Sequence, residues 1–189
     1  TIRSAEHQGV AAPAPTPNGL AEGDWNEIRA AIAAGPYKAY SAEDGGYVSA
    51  NPAHGWQIRY GADGTTRLTP RDDSVPAWEW GMRLAGYGSA ASGAVQQPVQ
   101  LQADGQRFTY RWDARLDEWW QNGAVGLEQG FTVYAAPAGA DEQPIQIWLD
   151  LSGDLQAEYH ADGLAFRDAQ GAVAFTYTKL RSWDATGRD

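Results

Sequence analysis

The dipeptide Asp-Gly occurs four times in this chain of 189 residues, and a stretch rich in β-forming residues follows each copy. The copies are Asp44-Gly45, Asp63-Gly64, Asp104-Gly105 and Asp162-Gly163. Asp tolerates a positive φ and Gly adopts one without steric cost, so Asp-Gly between extended segments is typical of a type I′ hairpin turn. The copies are unevenly spaced, which argues against a propeller or solenoid built from repeats. The dipeptide therefore predicts an antiparallel β protein.

From Tyr37 onward, apolar and polar residues alternate, as in strands that are buried on one face. Residues 78–84 and 107–112 show this alternation clearly. Further strands are predicted at residues 47–50, 56–60, 65–69, 95–101, 127–134, 145–151, 155–159 and 173–177. About ten strands connected by turns indicate antiparallel sheets and not a βαβ fold. We therefore predict an all-β fold, an antiparallel β-sandwich.

Residues 1–23 differ in composition from the rest of the chain. Three prolines at alternate positions, Pro13, Pro15 and Pro17, favour an extended polyproline conformation and prevent a helix. The first ten residues hold only two large aliphatic side chains, Ile2 and Val10, so they cannot form a core by themselves. We predict that residues 1–23 form an extended arm and that residues 24–189 form the β-sandwich domain.

A single short helix is predicted at residues 24–34, at the start of the domain. Asp24 is placed to cap the helix with Glu27 three residues later, and Gly35-Pro36 supplies a stop. The apolar positions are Trp25, Ile28 and Ile32, which share one face of the helix. We expect this face to pack on a sheet.

Charge and composition exclude several classes of partner. The formal net charge of −10 disfavours binding to nucleic acid and to anionic lipid. No apolar stretch approaches the length of about 20 residues that a membrane helix needs, so no membrane insertion is predicted. The chain has no Cys, which excludes disulfides and thiolate metal sites. Residues 1–4 are not part of a secretory signal, so an exported form would have lost its signal peptide already.

The sequence contains no motif that points to catalysis. There is no Gly-x-Ser-x-Gly elbow, no phosphate-binding loop and no calcium-binding loop. The three histidines, His7, His54 and His160, are not at metal-ligand spacings. Two carboxyl groups at the separation that a glycosidase needs would arise by chance among 24 acidic residues. We predict no catalytic residue, no metal and no cofactor, with a glycosidase as the less favoured alternative.

Nine Trp residues are far more than a chain of this length usually holds. Five of them are predicted to fill the core: Trp25, Trp56, Trp78, Trp80 and Trp112. Trp148 lies out of phase with Ile147 and Leu149, which places it on the opposite face of its strand. Trp119 and Trp120 are adjacent, so one of them must point away from the core.

An exposed aromatic ring beside carboxylates has the composition of a sugar-binding site. The flat ring stacks on a sugar, and the planar polar groups bind its hydroxyl groups. The candidate ligand-binding residues are Trp119, Trp120, Trp148, Asp117 and Glu118. The alternative for these residues is ordinary packing at the end of a strand.

Several short segments carry a resemblance to a known module. They are GLEQGFTV (126–133), LSGDL (151–155), YTKL (177–180) and WDATGR (183–188), preceded in similar order by Asp24-Trp25, Asn51-Pro52 and Trp80-Gly81. In these segments the chain resembles the N-terminal β-rich module that precedes FG-GAP, integrin-like β-propeller repeats in large exported bacterial proteins. The resemblance spans roughly residues 24–188 and implies export to the cell surface or the medium. This chain stops at Asp189, before any such repeats, so no propeller function is implied.

Two functions follow as hypotheses. The first is a non-catalytic extracellular or cell-surface structural or adhesion module, which assembles into a filament or matrix with copies of itself or with other surface proteins. The arm, with Ile2, Val10, Pro13, Pro15 and Pro17 as its contact residues, would donate a strand to a neighbour. Docking of the arm on its own domain is the alternative left open. The second hypothesis is a carbohydrate-binding or glycoside-active domain, which would bind a glycan.

Overall fold

In a computed structural model the chain folds into two antiparallel β-sheets and one helix, which confirms the predicted all-β sandwich. The structure describes residues 2–3, 16–72, 77–88, 95–135, 144–160 and 162–183. The inner faces of the two sheets contact each other through large aromatic side chains. Trp80 of one sheet packs edge-on against Phe175 of the other, with 5.3 Å between ring centroids. Tyr60 stacks on Phe108 across the same interface, at 4.1 Å.

The described strands, in chain order, are β1 (Ile2–Arg3), β2 (Tyr40–Ser41), β3 (Tyr47–Asn51), β4 (Trp56–Tyr60), β5 (Thr65–Pro70), β6 (Trp80–Gly88), β7 (Gln100–Asp104), β8 (Arg107–Arg111), β9 (Leu116–Gly123), β10 (Gly126–Val133), β11 (Gln146–Gly153), β12 (Gln156–His160), β13 (Gly163–Arg167) and β14 (Val173–Thr178). Helix α1 spans Glu22–Ala34 and continues into a 3-10 turn at Gly35–Tyr37. One sheet has six strands in the order β11-β6-β5-β4-β3-β2. The other has eight, in the order β12-β13-β14-β1-β10-β9-β8-β7.

All four Asp-Gly dipeptides lie at connections between neighbouring antiparallel strands, as predicted. The predicted turn type was wrong, because Lys179 is the only described residue other than Gly with a positive φ. The Asp residues act through their side chains instead. Asp44 accepts a hydrogen bond from the main-chain N–H of Gly46 at 3.2 Å, and Asp63 accepts one from Thr65 at 3.0 Å. Each carboxylate therefore closes a local turn with the backbone two residues later.

Two glycines in these turns provide a matched pair for a stability test. Gly64 has a φ of +84°, and a Cβ there would overlap the indole of Trp112. Gly45 has a φ of +82°, and a Cβ there would meet open space. Both Ala variants carry the same backbone strain, so Gly64→Ala should cost about 1 kcal/mol more than Gly45→Ala. Urea denaturation measures the difference, and equal losses would contradict the contact with Trp112.

Four of the five tryptophans predicted for the core lie in it or against it. Trp56, Trp80 and Trp112 are buried, and Trp78 is half-buried against them. Trp25 was placed wrongly, because it lies on α1 outside this core. The core lies between the inner faces of the two sheets, away from α1.

Helix α1 does not pack on a sheet as expected. None of its residues is buried, and the side chain of Ile32 is 68% exposed. The helix begins two residues earlier than predicted, and its N-cap is Ala21 and not Asp24. Of the apolar face read from the sequence, Ile28 and Ile32 are therefore exposed to solvent, whereas Trp25 is half-buried.

The first residues of the arm are docked on their own domain. Strand β1 lies between β10 and β14, where Ile2 pairs with Leu127 on one side and with Tyr177 on the other. The side chain of Ile2 is fully buried in the core. Pro17 is exposed, whereas Val10, Pro13 and Pro15 lie outside the described residues. Within one copy, β1 of the arm is therefore a strand of its own domain's sheet.

Candidate functional site

Strand β9 carries four of the five predicted ligand-binding residues and turns them to opposite faces. Leu116, Glu118, Trp120 and Asn122 point toward the other sheet and are buried. Asp117 and Trp119 lie on the outer face, since successive residues of a strand alternate. The prediction that one of the adjacent tryptophans leaves the core is confirmed, and Trp119 is that residue.

Glu118 is a buried carboxylate with three side-chain donors around it. The indole N–H groups of Trp112 and Trp120 donate to it at 3.0 and 3.1 Å, and the Gln129 amide donates at 2.7 Å. Burial raises the pKa of Glu118 to about 7, although the three hydrogen bonds oppose that shift. Only 1% of the residue is exposed, so the carboxylate contacts core side chains and not solvent.

The five predicted ligand-binding residues do not form one surface. Trp120 and Glu118 are core residues that a ligand outside the sandwich cannot contact. Trp148 lies in the other sheet, on the edge strand β11, where it is opposite Gly86. The proximity of Glu118 and Trp120 to Trp119 in sequence was misleading, because a strand separates alternate residues onto two faces.

Asp117 is the centre of a small polar cluster on the outer face. Arg111 donates to its two carboxylate oxygens at 3.1 and 3.4 Å. The Tyr134 hydroxyl donates to the same carboxylate at 2.9 Å, and this hydrogen bond raises the pKa of Tyr134. Asp117 is only 6% exposed and forms an ion pair with Arg111. It is therefore not a free carboxylate at the rim of a sugar-binding site.

The indole of Trp119 is clamped on the outer face between β8 and β10. On one side it lies against Gly130, its cross-strand partner, where a Cβ would overlap the ring. On the other side the Arg107 guanidinium lies over the ring, with Cζ 4.1 Å from the centroid. Within the described part of the chain, no carboxylate pairs with Arg107. The guanidinium therefore stacks on an aromatic ring while its N–H groups stay available.

Sequence reasoning missed Arg107 and Gly130. Arg107 alternates with Phe108 and Tyr110, which places it outward, and that signal was present in the sequence. Gly130 becomes informative only when the β9–β10 register pairs it with Trp119. This register can be assigned only when the neighbouring strands are known.

A second candidate site is the gap between β10 and β14 that β1 fills, here named the strand slot. Without β1, the eight-stranded sheet would separate into β12-β13-β14 and β10-β9-β8-β7. Beside β1, the Tyr177 hydroxyl donates to Gln129 at 3.0 Å and links β14 to β10. This side-chain bridge joins the two walls of the slot.

The β10 wall of the strand slot extends further than β1 does. The main-chain N–H of Tyr134 donates to Arg115 on the β9 side, so alternation directs the main-chain groups of Gln129, Phe131 and Val133 toward the slot. Among the described strands, none pairs with this edge beyond Leu127. The slot therefore offers hydrogen-bonding groups for an extended segment.

The described residues contain no group of three or more His, Asp or Glu that could hold a metal ion. No helix in the same residues is long and apolar enough to cross a membrane. No family model, curated protein or solved structure matches the chain.

Proposed function

We propose that this chain is a non-catalytic structural module of an exported protein, which assembles at the cell surface or in a secreted matrix by strand donation. In this assembly, β1 of one copy fills the strand slot of the next copy. The observation that carries the proposal is the position of β1, a two-residue strand at the interior of an eight-stranded sheet. A strand so short, joined to α1 by the long segment of residues 4–21, is well suited to exchange.

Donation between copies would preserve every contact seen within one copy. The same pairing of Ile2 with Leu127 and Tyr177 would form, and Ile2 would be buried in the same place. Such an exchange of identical elements is a low-cost route to oligomers. Residues 4–21 connect β1 to α1, and a fully extended segment of that length spans at most about 60 Å. That reach exceeds the diameter of a domain of this size, which is about 40 Å.

The non-catalytic part of the proposal is supported by the state of the acidic residues that the sequence singled out. Glu118 is enclosed in the core, and Asp117 is neutralised by Arg111. The exported setting is supported by the resemblance to the module that precedes FG-GAP repeats. We therefore propose an exported setting for this chain.

Energy transfer between two labelled populations of the full chain tests strand donation directly. The chain has no Cys, so a single label can be placed by Thr1→Cys in one population and by Val125→Cys in the other. Val125 is 55% exposed in the turn that precedes β10, beside the strand slot. We expect energy transfer to develop after the populations are mixed at high concentration, together with oligomers in light scattering.

The matched control places the acceptor at Ile145→Cys, an exposed position beside the end of β6 whose Tyr87 bonds Asp113, at the opposite end of β9 from Val125. Transfer to this acceptor should be much weaker than transfer to Val125→Cys. A chain that stays monomeric at high concentration, with no transfer to either acceptor, would refute donation between copies.

A further inference from the structure

The outer face of the eight-stranded sheet carries a second surface, separate from the strand slot. It consists of Arg107, Arg111, Arg115, Trp119 and Tyr134, and we call it the Arg-Trp face. We propose that the Arg-Trp face binds a glycan whose carboxylate groups are spaced along it. The inference does not depend on assembly through β1.

The strand register places Trp119 level with a point between Arg107 and Arg111 on the neighbouring strand β8. Trp119 is opposite Thr109 on β8, and Arg107 and Arg111 lie two residues to either side of Thr109. Residues four apart on one strand are separated by about 13 Å. The surface is therefore an elongated strip, which suits an extended ligand better than a compact one.

The strip brings three Arg side chains together although the whole chain is acidic, and its carboxylates are that of Asp117, which pairs with Arg111, and those of Asp104 and Glu128 beside it. The formal net charge is −10, yet Arg107 has no ion-pair partner in the described part of the chain. Asp104 faces Arg107 across β7 and β8 without forming an ion pair with it. A guanidinium with free N–H groups binds carboxylates in a bidentate manner. Local charge thus favours an anionic group on the ligand.

The acidic net charge of the chain also disfavours a ligand with closely spaced negative charges. A closely spaced polyanion such as nucleic acid would be repelled by the excess of acidic residues over the rest of the surface. A glycan with isolated carboxylates gains the contact with Arg107 and suffers less repulsion. Spaced carboxylates are therefore the better match.

The position of this surface on a sheet face favours binding of a sugar over binding of a peptide. Peptides usually add to sheets at an edge, where free main-chain N–H and C=O groups pair with the peptide backbone. Strands β8 and β9 are paired on both sides, so the Arg-Trp face presents side chains only. The neighbouring outward side chains include the amides and hydroxyls of Gln102, Thr109, Gln121 and Thr132, with the Glu128 carboxylate beside Gln121. These groups hydrogen-bond sugar hydroxyls, and the exposed Tyr134 ring supplies apolar contact.

The test measures binding of hyaluronan hexasaccharide, in which carboxylates alternate with neutral sugars, to the full chain by calorimetry. Chitin hexasaccharide tests a neutral glycan, and poly-glutamate tests an acidic peptide. We expect binding to hyaluronan that weakens with increasing salt, and clearly weaker binding to the other two. Absence of hyaluronan binding, or equal binding to poly-glutamate, would overturn the proposal.

Three variants locate the site. Arg107→Ala should weaken hyaluronan binding about tenfold, as expected for loss of a charge-assisted hydrogen bond. Arg59→Ala is the control for net charge, because Arg59 lies on β4 of the other sheet, where it pairs with Asp44, and its removal changes the net charge equally. Gly130→Ala keeps every charge and keeps Trp119, but displaces the indole from its seat. It should weaken binding several-fold as well.

The outcomes separate a site on this face from general charge attraction. Equal weakening by Arg107→Ala and Arg59→Ala would show that only net charge matters, and would overturn the proposal. Failure of strand exchange would leave these binding results unchanged, because no residue of the Arg-Trp face lies in the strand slot.

Discussion

Replacing Ile2 with Ala is expected to lower the free energy of unfolding by about 3 kcal/mol, which is the usual cost of removing a large buried aliphatic side chain. Ile2 is fully buried, although it stands at the second position of a Pro-rich arm that the sequence gives no other reason to bury. The loss also weakens β1, which joins β14 to β10 among the described strands. Urea denaturation followed by Trp fluorescence measures the effect.

The same substitution at Ile32 is the matched control. Ile32 lies on α1 and is 68% exposed, so Ile32→Ala should change the free energy of unfolding by less than about 0.5 kcal/mol. If both variants had equally small effects, β1 would not be part of the sheet in solution. The comparison therefore reports on the strand slot before any question of assembly arises.

The second large effect is a pH dependence that one side chain controls. The pKa of Glu118 is raised from 4.5 to about 7 by burial. Between these values the folded chain binds a proton that the unfolded chain does not, so the stability that Glu118 contributes is greatest below about pH 4.5 and falls as the pH rises. A difference of this size corresponds to about 3 kcal/mol, lost progressively between about pH 4.5 and 7. Denaturation curves across that range measure the fall.

Glu118→Gln should remove this part of the pH dependence, because the amide has a similar shape and does not titrate. Glu128→Gln is the control, since Glu128 is an exposed residue on the neighbouring strand β10. The control should keep the wild-type pH profile. If Glu118→Gln left the profile unchanged as well, the dependence would come from other groups, such as the histidines.

Local patterns were sufficient to predict much of the fold. The alternation at residues 107–112 predicts β8, which the structure places at Arg107–Arg111. Asp-Gly marks hairpin connections because the conformational needs of a tight turn are local. The strand predicted at 95–101 instead begins at Gln100. Pro98 lacks the N–H group that a strand interior needs, and this explains the later start.

The candidate sites were predicted less well because they depend on register between distant strands. The sequence places Glu118 beside Trp119, but period-two alternation sends one into the core and the other outward. Arg107 reaches Trp119 from a neighbouring strand, and Gly130 does so from the other neighbour. The role of Ile2 was equally hidden, since its partners Leu127 and Tyr177 are far away in sequence.

The position of β1 also has a consequence for the order in which the chain folds. Ile2 pairs with Tyr177, so the eight-stranded sheet joins residues from nearly opposite ends of the sequence. Contacts at such separations form late, because the intervening chain must be ordered first. During synthesis, β1 is made long before its partner β14, so it is among the strands that reach their native place late. A chain emerging from the ribosome carries β1 without this partner until residues Val173–Thr178 have been made.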